Sequence, residues 1–483
     1  MSGPNDQEKI RRDRRAKLLA QGLEVYPART KRTITVADLI AGWTDGRDEV
    51  VVGRVRSIRL QGKSCFLDLE DDTGRLQIFL QQQHLAAAFD SLVKDIDLGD
   101  FLEVAGSTFT TKRGERSLDA AGLTFLAKAL RPLPSSWHGL EDAELRYRFR
   151  ELDIVTNPDV KEIFSARSKI LEQLRAFLQT RGFMEVETPM LQAIPGGANA
   201  RPFITHHNAL DADYYLRIAP ELYLKRLIVA GYGRVYEIAR CFRNEGIDRD
   251  HNPEFTQVEL YAAYTDYRWM MDLTEELIRH LATVVNNAPT ITHEKKSIDL
   301  TQRFPRRTYH DVIKEMTGLD IDALSDDQLR QGAGGGSADI ATDAPRGKVL
   351  DELFKTQVRS KLIEPTFIID YPVELSPLAK KKSGDPRYVE MFQLIMGGTE
   401  IAKAFSELND PVDQRERFAA QEKLRAAGDD EAQRIDEAFL QSLEYGMPPV
   451  AGLGLGIDRL AAVLTNQPSL KEVILFPTLK PIP

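Results

Sequence analysis

Residues 240–255 read Arg240-Cys-Phe-Arg-Asn-Glu-Gly-Ile-Asp-Arg-Asp-His-Asn-Pro-Glu-Phe255. Apolar runs flank the stretch, 235–239 before it and 255–264 after it. Between them lie three arginines, four acidic residues and a histidine. Two strands joined by such a loop suit a polyanion that is both gripped and read. Arginine offers phosphate a planar, permanently charged fork, and a carboxylate can accept from the exocyclic amine of a base. A solvated hairpin tip with incidental charge would look the same in isolation, so the rest of the chain has to decide.

The chain has 483 residues, enough for two or three domains with a large core. Hydrophobic residues make up 42% and charged residues 28%, which describes an ordinary soluble protein. No apolar run reaches the roughly eighteen residues of a membrane span, and residues 1–8 lack a signal core, so a cytoplasmic location is expected. Cys65 and Cys241 stand far apart, which excludes a disulfide framework or a cysteine zinc site. The net charge of −9 argues against wholesale coating of nucleic acid. Lys9, Arg11, Arg12, Arg14, Arg15 and Lys17 nevertheless make the front end basic, either to hold phosphates or as a solvated helix face.

Runs at 50–56, 65–69, 75–80 and 101–105 are β-rich and separated by turns such as Asp71-Asp-Thr-Gly74. With a helical piece at 84–95, they predict a five-stranded closed barrel of the OB-fold type, a scaffold that often stacks bases on aromatic side chains. Arg131-Pro-Leu-Pro ends that region. Beyond it the pattern turns to mixed α and β. Helices are expected at 163–178, 221–230, 267–285 and around 413–445, and strands at 183–186, 214–218, 367–370 and 392–395. The glycine run 332–336 reads as a flexible insertion. Hairpins outnumber βαβ units, so the expected fold is α+β, an antiparallel sheet flanked by helices.

Gly452-Leu-Gly-Leu-Gly456 has the wrong spacing for a dinucleotide fingerprint and no βαβ unit around it. It reads instead as a strand end that lets backbone approach a flat ligand, followed by a helix with Asp458 and Arg459. Glu221, Glu259, Glu400 and Glu407 all sit in apolar or aromatic company. Buried carboxylates need cations. Arg217 or Lys225 could supply them from within, or the cluster forms a pocket for a cationic ligand, a metal, or both.

At this point the motifs resemble a known family. Residues 240–264 resemble motif 2 of the class II aminoacyl-tRNA synthetases, 452–460 resemble motif 3, and Phe183-Met-Glu-Val-Glu-Thr-Pro189 resembles motif 1, whose proline lies at a dimer interface. Leu375-Ser-Pro-Leu-Ala-Lys380 and Phe405-Ser-Glu-Leu-Asn-Asp-Pro411 resemble the lysyl-tRNA synthetases in particular. The resemblance runs from about residue 35 to the C-terminus and implies an OB-fold anticodon-binding domain at 35–135, a linker at 136–155 and a catalytic domain at 156–483; the basic residues before it make 1–34 an N-terminal basic helical segment. Motif 1 would lie near 165–189, motif 2 near 234–264 and motif 3 near 452–464.

It also implies roles. Arg243 and Arg459 would be catalytic. ATP would meet Arg243, Glu245, His251, Phe255, Glu400 and Arg459, with Phe255 and Arg459 sandwiching adenine and His251 by the distal phosphates. L-lysine would meet Gly197 and Glu221 through its α-amino group, and Glu259, Tyr261 and Glu407 through its ε-ammonium, with Arg243, Lys403 and Phe405 alongside. Phe66, Gln77 and Glu115 would read the central anticodon base of tRNA-Lys, although Phe66 alone reads as barrel core. Mg²⁺ would be the cofactor, a homodimer the assembly, and no membrane a partner. Two positions depart from the family's usual form: Gln393 replaces a metal-binding glutamate, and Lys403 an asparagine near the substrate carboxylate. Lys403 would then take over part of a metal ion's work and leave Glu400 to hold Mg²⁺, unless it pairs with an acid. Aspartyl or asparaginyl specificity, and a non-catalytic RNA-binding or regulatory relative, are the alternatives. An acidic substrate would want basic residues where Glu259 and Glu407 lie.

Overall fold

The computed structural model describes residues 6–86, 89, 92–134, 140–293, 295–333, 344–426, 428 and 431–482. The chain forms two compact units, Met1–Glu141 and Asp142–Pro483.

The first unit is a closed five-stranded barrel: β1 (Asp48–Gln61), β2 (Ser64–Glu70), β3 (Arg75–Gln81), β4 (Phe101–Thr110) and β5 (Arg116–Ala127), in the order β1-β2-β3-β5-β4. Strand alternation sets what faces inward. Cys65, Leu67 and Leu69 of β2 and Leu76, Ile78 and Leu80 of β3 are buried, while Phe66, Asp68, Gln77 and Phe79 take the alternate, half-exposed positions. The turn between β2 and β3 is held by Asp71, whose Oδ1 accepts from Thr73 N at 2.8 Å and Gly74 N at 2.9 Å. Within the helix expected over 84–95 the described residues are helical at Gln82–Leu85, at Phe89 and at Leu92, and form a 3₁₀ turn at Val93–Asp95; 87, 88, 90 and 91 lie outside the described residues.

The basic front end forms α1 (Asp6–Ala20), and much of its charge is consumed within this unit. Arg11, buried, donates to the carbonyls of Leu98, Ala129 and Arg131. Arg14 pairs with Asp97, and Lys17 with Asp95 at 2.7 Å. Lys9 and Arg12 stay exposed, and Arg15, half-exposed, lies 5.7 Å from the Tyr26 ring centre. Periodicity gave a helix but not its docked face. Leu18 and Val25 also join the barrel core.

In the second unit a nine-stranded sheet runs through β6 (Met184–Glu185), β7 (Arg234–Phe242), β8 (Glu254–Ala263), β9 (Arg306–Thr308), β10 (Thr366–Pro372), β11 (Asp385–Met396), β12 (Thr399–Ser406) and β13 (Val450–Gly456). Its order is β9-β10-β11-β12-β13-β8-β7-β6, with Lys381–Lys382 pairing on β11. The interior pairs are antiparallel, and the pairs β6–β7 and β9–β10 at the two ends are parallel. One face is apolar: Val258, Leu260, Leu394, Ala402, Ala404, Leu453 and Leu455 form a core with the helices α2 (Pro158–Gln179), α4 (Tyr267–Asn286) and α5 (Ile457–Leu464). The opposite face carries the charged residues of the next section and is bordered by α3 (Glu221–Val229).

The linker expected at 136–155 is not a loop over its second half. Helices Ala143–Arg148 and Arg150–Thr156 belong to the second unit, and fully buried Arg150 pairs with Asp153 and donates to the carbonyls of Leu475 and Lys471. Of the glycine run, Gly332 lies in the helix Asp326–Ala333, and 334–336 are outside the described residues.

Candidate active site

The glycines of 452–456 are spaced by two, and their register explains why. Gly452 pairs with Tyr261 and Phe405, Gly454 with Glu259 and Lys403, and Gly456 with Gln257. Residues paired across strands share a face. All three glycines therefore lie on the charged face, and Leu453 and Leu455 point into the core. The result is a side-chain-free strip between β8 and β12, a floor on which a ligand can lie against backbone. Gly452 is fixed sterically: a β-carbon there would collide with Glu407 Oε1 and the Tyr261 ring.

At one end of the floor three carboxylates gather. Glu259 is 5% exposed, and its partners are neutral: Gln257 Nε2 donates to Oε1 at 2.7 Å and the Tyr261 hydroxyl to Oε2 at 3.1 Å. Burial, reinforced by Glu221, pushes its carboxyl up to about 8. Glu221 and Glu407 share an internal cation, as Lys225 Nζ lies 2.6 Å from Glu221 Oε1 and 2.5 Å from Glu407 Oε2. Of the two internal cations considered from sequence, Lys225 is thus the one used. Arg217 is committed to Glu237. Glu407 Oε1 has no hydrogen-bond partner among the described residues. Phe405, paired with Gly452, stands on the same face, with the Lys225 ammonium 5.4 Å from its ring centre. Gly197, at φ +88°, lies so close to Glu221 that a side chain there would strike its Cβ. The cluster holds three acids and one lysine, so it can still accept one more cation.

The other end is cationic. Arg243 Cζ lies 5.0 Å from the Phe255 ring centre, and its Nε is buried without a partner. Arg459 folds over Gly456 and donates to the Glu400 carbonyl at 3.4 Å, with NH2 3.4 Å from His251 Nε2. Burial lowers the pKa of its guanidinium below the ordinary value, yet the group stays charged at neutral pH. His251 is held by Asp248 through Nδ1 at 2.9 Å, and Glu245 is exposed in the same loop. The resemblance put Arg459 opposite Phe255. Here Arg243 lies over the ring face, and no cation–π contact joins Arg459 to Phe255 among the described residues. An adenine slot needs Arg243 to move off the ring. The three motif segments are tied by Asp458, which accepts from Thr256 N at 2.8 Å and pairs with Arg167 of α2 at 2.7 Å.

Between the two ends lie Glu400, Gln393 and Lys403. The β11–β12 register slips between Leu394 and Ile395, so Glu400 pairs with Ile395 and shares the face of Gln393. Without that bulge Glu400 would point into the core. Its side chain pairs with no cation among the described residues. Gln393 is neutral, and its Oε1 already accepts from the Tyr371 hydroxyl at 2.9 Å. The expectation of Gln393 as a metal ligand therefore weakens on chemistry as well as charge. No group of three or more His, Cys, Asp or Glu among the described residues could hold a metal. Mg²⁺ carried by phosphates needs only one or two carboxylates from the protein, and Glu400 fits that requirement. Lys403 pairs with no acid among the described residues, which removes the alternative raised from sequence.

On the barrel, Phe66 is not core. It stands half-exposed on the outer face, stacked on Phe79 at 4.6 Å between ring centres, and Phe79 continues to Phe109 at 5.9 Å. Gln77 lies two residues from Phe79 on the same face and accepts from Ser117 at 3.0 Å. Glu115 lies in the turn just before β5, not on a strand. Gln257, Tyr371, Phe79 and Phe109 were missed as site neighbours. The first two hold only their neighbours' side chains, and the phenylalanines gave no signal beyond strand parity.

The family described as tRNA synthetases class II (D, K and N) matches residues 142–480, and the OB-fold nucleic acid binding domain matches residues 50–126. Among curated relatives, the lysine–tRNA ligase of Moorella thermoacetica is 48% identical over all of this chain and 99% of its own. That of Bacillus subtilis is 47% identical over 99% of this chain and 97% of its own. That of Staphylococcus haemolyticus is 46% identical over 99% of each. Two domain matches in the order of the two compact units, and full-length likeness at nearly half identity, lead to one conclusion: the chain belongs to the lysine–tRNA ligase family of class II aminoacyl-tRNA synthetases.

Proposed function

We propose that this protein activates L-lysine with ATP and transfers it to the 3′ end of tRNA-Lys. One observation carries the amino-acid choice: Glu259, buried and without a cation, beside an unpartnered oxygen of Glu407 on a glycine floor. With Glu221 the pocket holds three acids against one internal lysine, Lys225, and is short of positive charge, which a lysine ε-ammonium supplies. An apolar amino acid would leave buried acids unpaired, a penalty of the kind that gives roughly 10⁴-fold discrimination. Aspartate would bring a like charge.

In the first step an oxygen of the lysine carboxylate attacks the α-phosphorus of ATP. The bond from that phosphorus to the bridging oxygen breaks, and pyrophosphate leaves with the electron pair. The nucleophile is already an anion at neutral pH, so no base is required. Arg243 and Arg459 bind and neutralise phosphate oxygens, Phe255 takes the adenine face once Arg243 turns to the phosphates, Glu245 takes the adenine amine, and His251 lies by the distal phosphates. The family works with ATP and Mg²⁺, and Glu400 would hold the ion. A terminal ribose hydroxyl of tRNA then displaces AMP from the adenylate carbonyl. Gly197 and Glu221 take the α-amino group. The first compact unit reads the anticodon through Phe66, Gln77 and Glu115, and the second performs the chemistry. The enzyme acts as a homodimer, supported by the exposed side chains of Met184 and Glu185 on β6 and exposed Met190, Leu191, Ile204 and Leu210 nearby in the chain.

Glu259→Gln tests the pocket. It should raise the KM for lysine about 10- to 100-fold, the worth of one charge-assisted hydrogen bond, and leave the KM for ATP within about twofold. Equal effects on both would remove Glu259 from the lysine site. The pH dependence has a definite sign. A carboxyl raised from 4.5 to about 8 is protonated in the free enzyme at pH 7 and ionises when an ammonium arrives. Lysine binding should therefore release a proton and tighten as pH rises toward about 8, which calorimetry in buffers of different ionisation enthalpy reads directly. For the same group, stability of the ligand-free protein falls as pH rises from about 4.5 to about 8. On the barrel, Phe66→Ala should weaken tRNA-Lys binding by roughly 1–3 kcal/mol without changing tRNA-independent pyrophosphate exchange.

A further inference from the structure

Glu259 is held by Gln257, which lies two residues earlier on β8 and on the same face. Such positions stand about 7 Å apart along a strand, a span that glutamine bridges and asparagine or serine does not. Gln257 is 9% exposed, and its Nε2 lies 2.7 Å from Glu259 Oε1 and 3.3 Å from Cys241 Sγ. Its own neighbours across the sheet, Ala239 and Gly456, carry no polar side chain. With the Tyr261 hydroxyl on Oε2 at 3.1 Å, both oxygens of Glu259 are met by uncharged donors. The surrounding charges are matched with each other or stand apart. Glu237, directly across from Glu259 on β7, pairs with Arg217. Lys225 of α3 serves Glu221 and Glu407. Burial pushes the Cys241 thiol up to about 12, so it is neutral. Lys403 is a further strand away, beyond Gly454, and Arg243 follows the end of β7.

Three other kinds of side chain could stand at 257, and each would spoil the pocket. A lysine or arginine would neutralise Glu259 from within. A further carboxylate would add charge that one ammonium cannot match. An apolar side chain would leave a buried carboxylate oxygen unpaired. We infer that Gln257 is a positioning residue for substrate choice: its amide fixes the Glu259 carboxylate beside Gly454 and supports the ionised form without neutralising it, so that the seat stays open for the ε-ammonium of lysine. This rests on the lysine reading above and adds the residue that keeps the pocket selective. An N–H donated to a carboxylate favours the charged form, and its removal disfavours that form. Glu259 has to ionise as the ammonium arrives, so Gln257 governs how much of the binding energy goes into releasing the proton.

The test is calorimetric titration of the full-length protein with L-lysine across a range of pH, with ATP titrated alongside. Gln257→Met has similar length and no donor. It should bind lysine about tenfold more weakly than wild type at pH 7. The difference should nearly vanish by about pH 9.5, where Glu259 is ionised in both proteins. The midpoint of the profile thus moves up by about one unit from its wild-type place at about 8. Gln257→Asn keeps the amide but not the reach; it should behave the same way, and it stands in should the methionine variant not fold. Gln257→Lys should weaken lysine more than about a hundredfold, by seating its own ammonium on Glu259. ATP affinity should stay within about twofold of wild type in each variant, which also reports that the protein is folded. Equal weakening at every pH in Gln257→Met, or no weakening at all, would overturn the proposal, as would normal lysine binding by Gln257→Lys. Should wild type bind ATP but no lysine at any pH, it is the lysine reading that falls, an outcome distinct from these.

Discussion

Arg243→Ala is expected to lower ATP–pyrophosphate exchange by about 10²–10³-fold, the usual consequence of deleting one preorganised donor to developing charge. Among the described residues its guanidinium pairs with no acid, its Nε is buried without a partner, and it lies 5.0 Å from a ring face that a nucleotide base would claim. Deletion therefore orphans no carboxylate. The folded state loses a cation–π contact of about 0.5–1 kcal/mol. Activity should collapse while the unfolding midpoint shifts only slightly. Arg243→Lys keeps the charge but not the fork, and should recover only part of the rate. Exchange within tenfold of wild type in Arg243→Ala would place phosphate neutralisation elsewhere, on Arg459 or Lys403.

The second large effect is on stability. Lys225→Met should destabilise the protein by about 3–5 kcal/mol, as seen when one member of a buried ionic group is removed and its partners stay charged. Lys225 is fully buried, and it is the cation that Glu221 and Glu407 share. The penalty should shrink as pH is lowered toward about 5, because burial already holds the Glu407 carboxyl well above its usual range and protonation relieves the unpaired charge. Denaturant titrations of variant and wild type at several pH values measure this. A loss below about 1 kcal/mol at pH 7 would show that the carboxylates find another partner.

Lys225 also shows the limit of what could be read from the chain. Its spacing from Glu221, four residues along a helix, was visible and predicts an ion pair. The third member, Glu407, joins through the pairing of distant strands, which no local pattern encodes. The glycine floor divides the same way. That 452–456 brings backbone close to a ligand was legible, but that all three glycines share a face with Glu259 and Lys403 required the register. Glu400 reaches the site through a one-residue slip that has no mark in the sequence. On the barrel, the alternation that predicted strands also decided that Phe66 points outward, yet composition alone favoured core. At the basic front end the helix was legible, but the pairing of Arg14 and Lys17 was not, because their acidic partners, Asp97 and Asp95, come from a distant loop. Elements came from periodicity, and contacts from topology.

The central claim is that an acid-lined pocket with one vacancy for positive charge selects the substrate. The most direct measurement is ATP–pyrophosphate exchange against all twenty amino acids, each at equal concentration and without tRNA. Lysine alone should support rapid exchange, with arginine the other cationic candidate and aspartate and asparagine at background. Exchange driven by aspartate or asparagine as fast as by lysine would contradict the pocket, whatever the fate of Arg243 or Lys403.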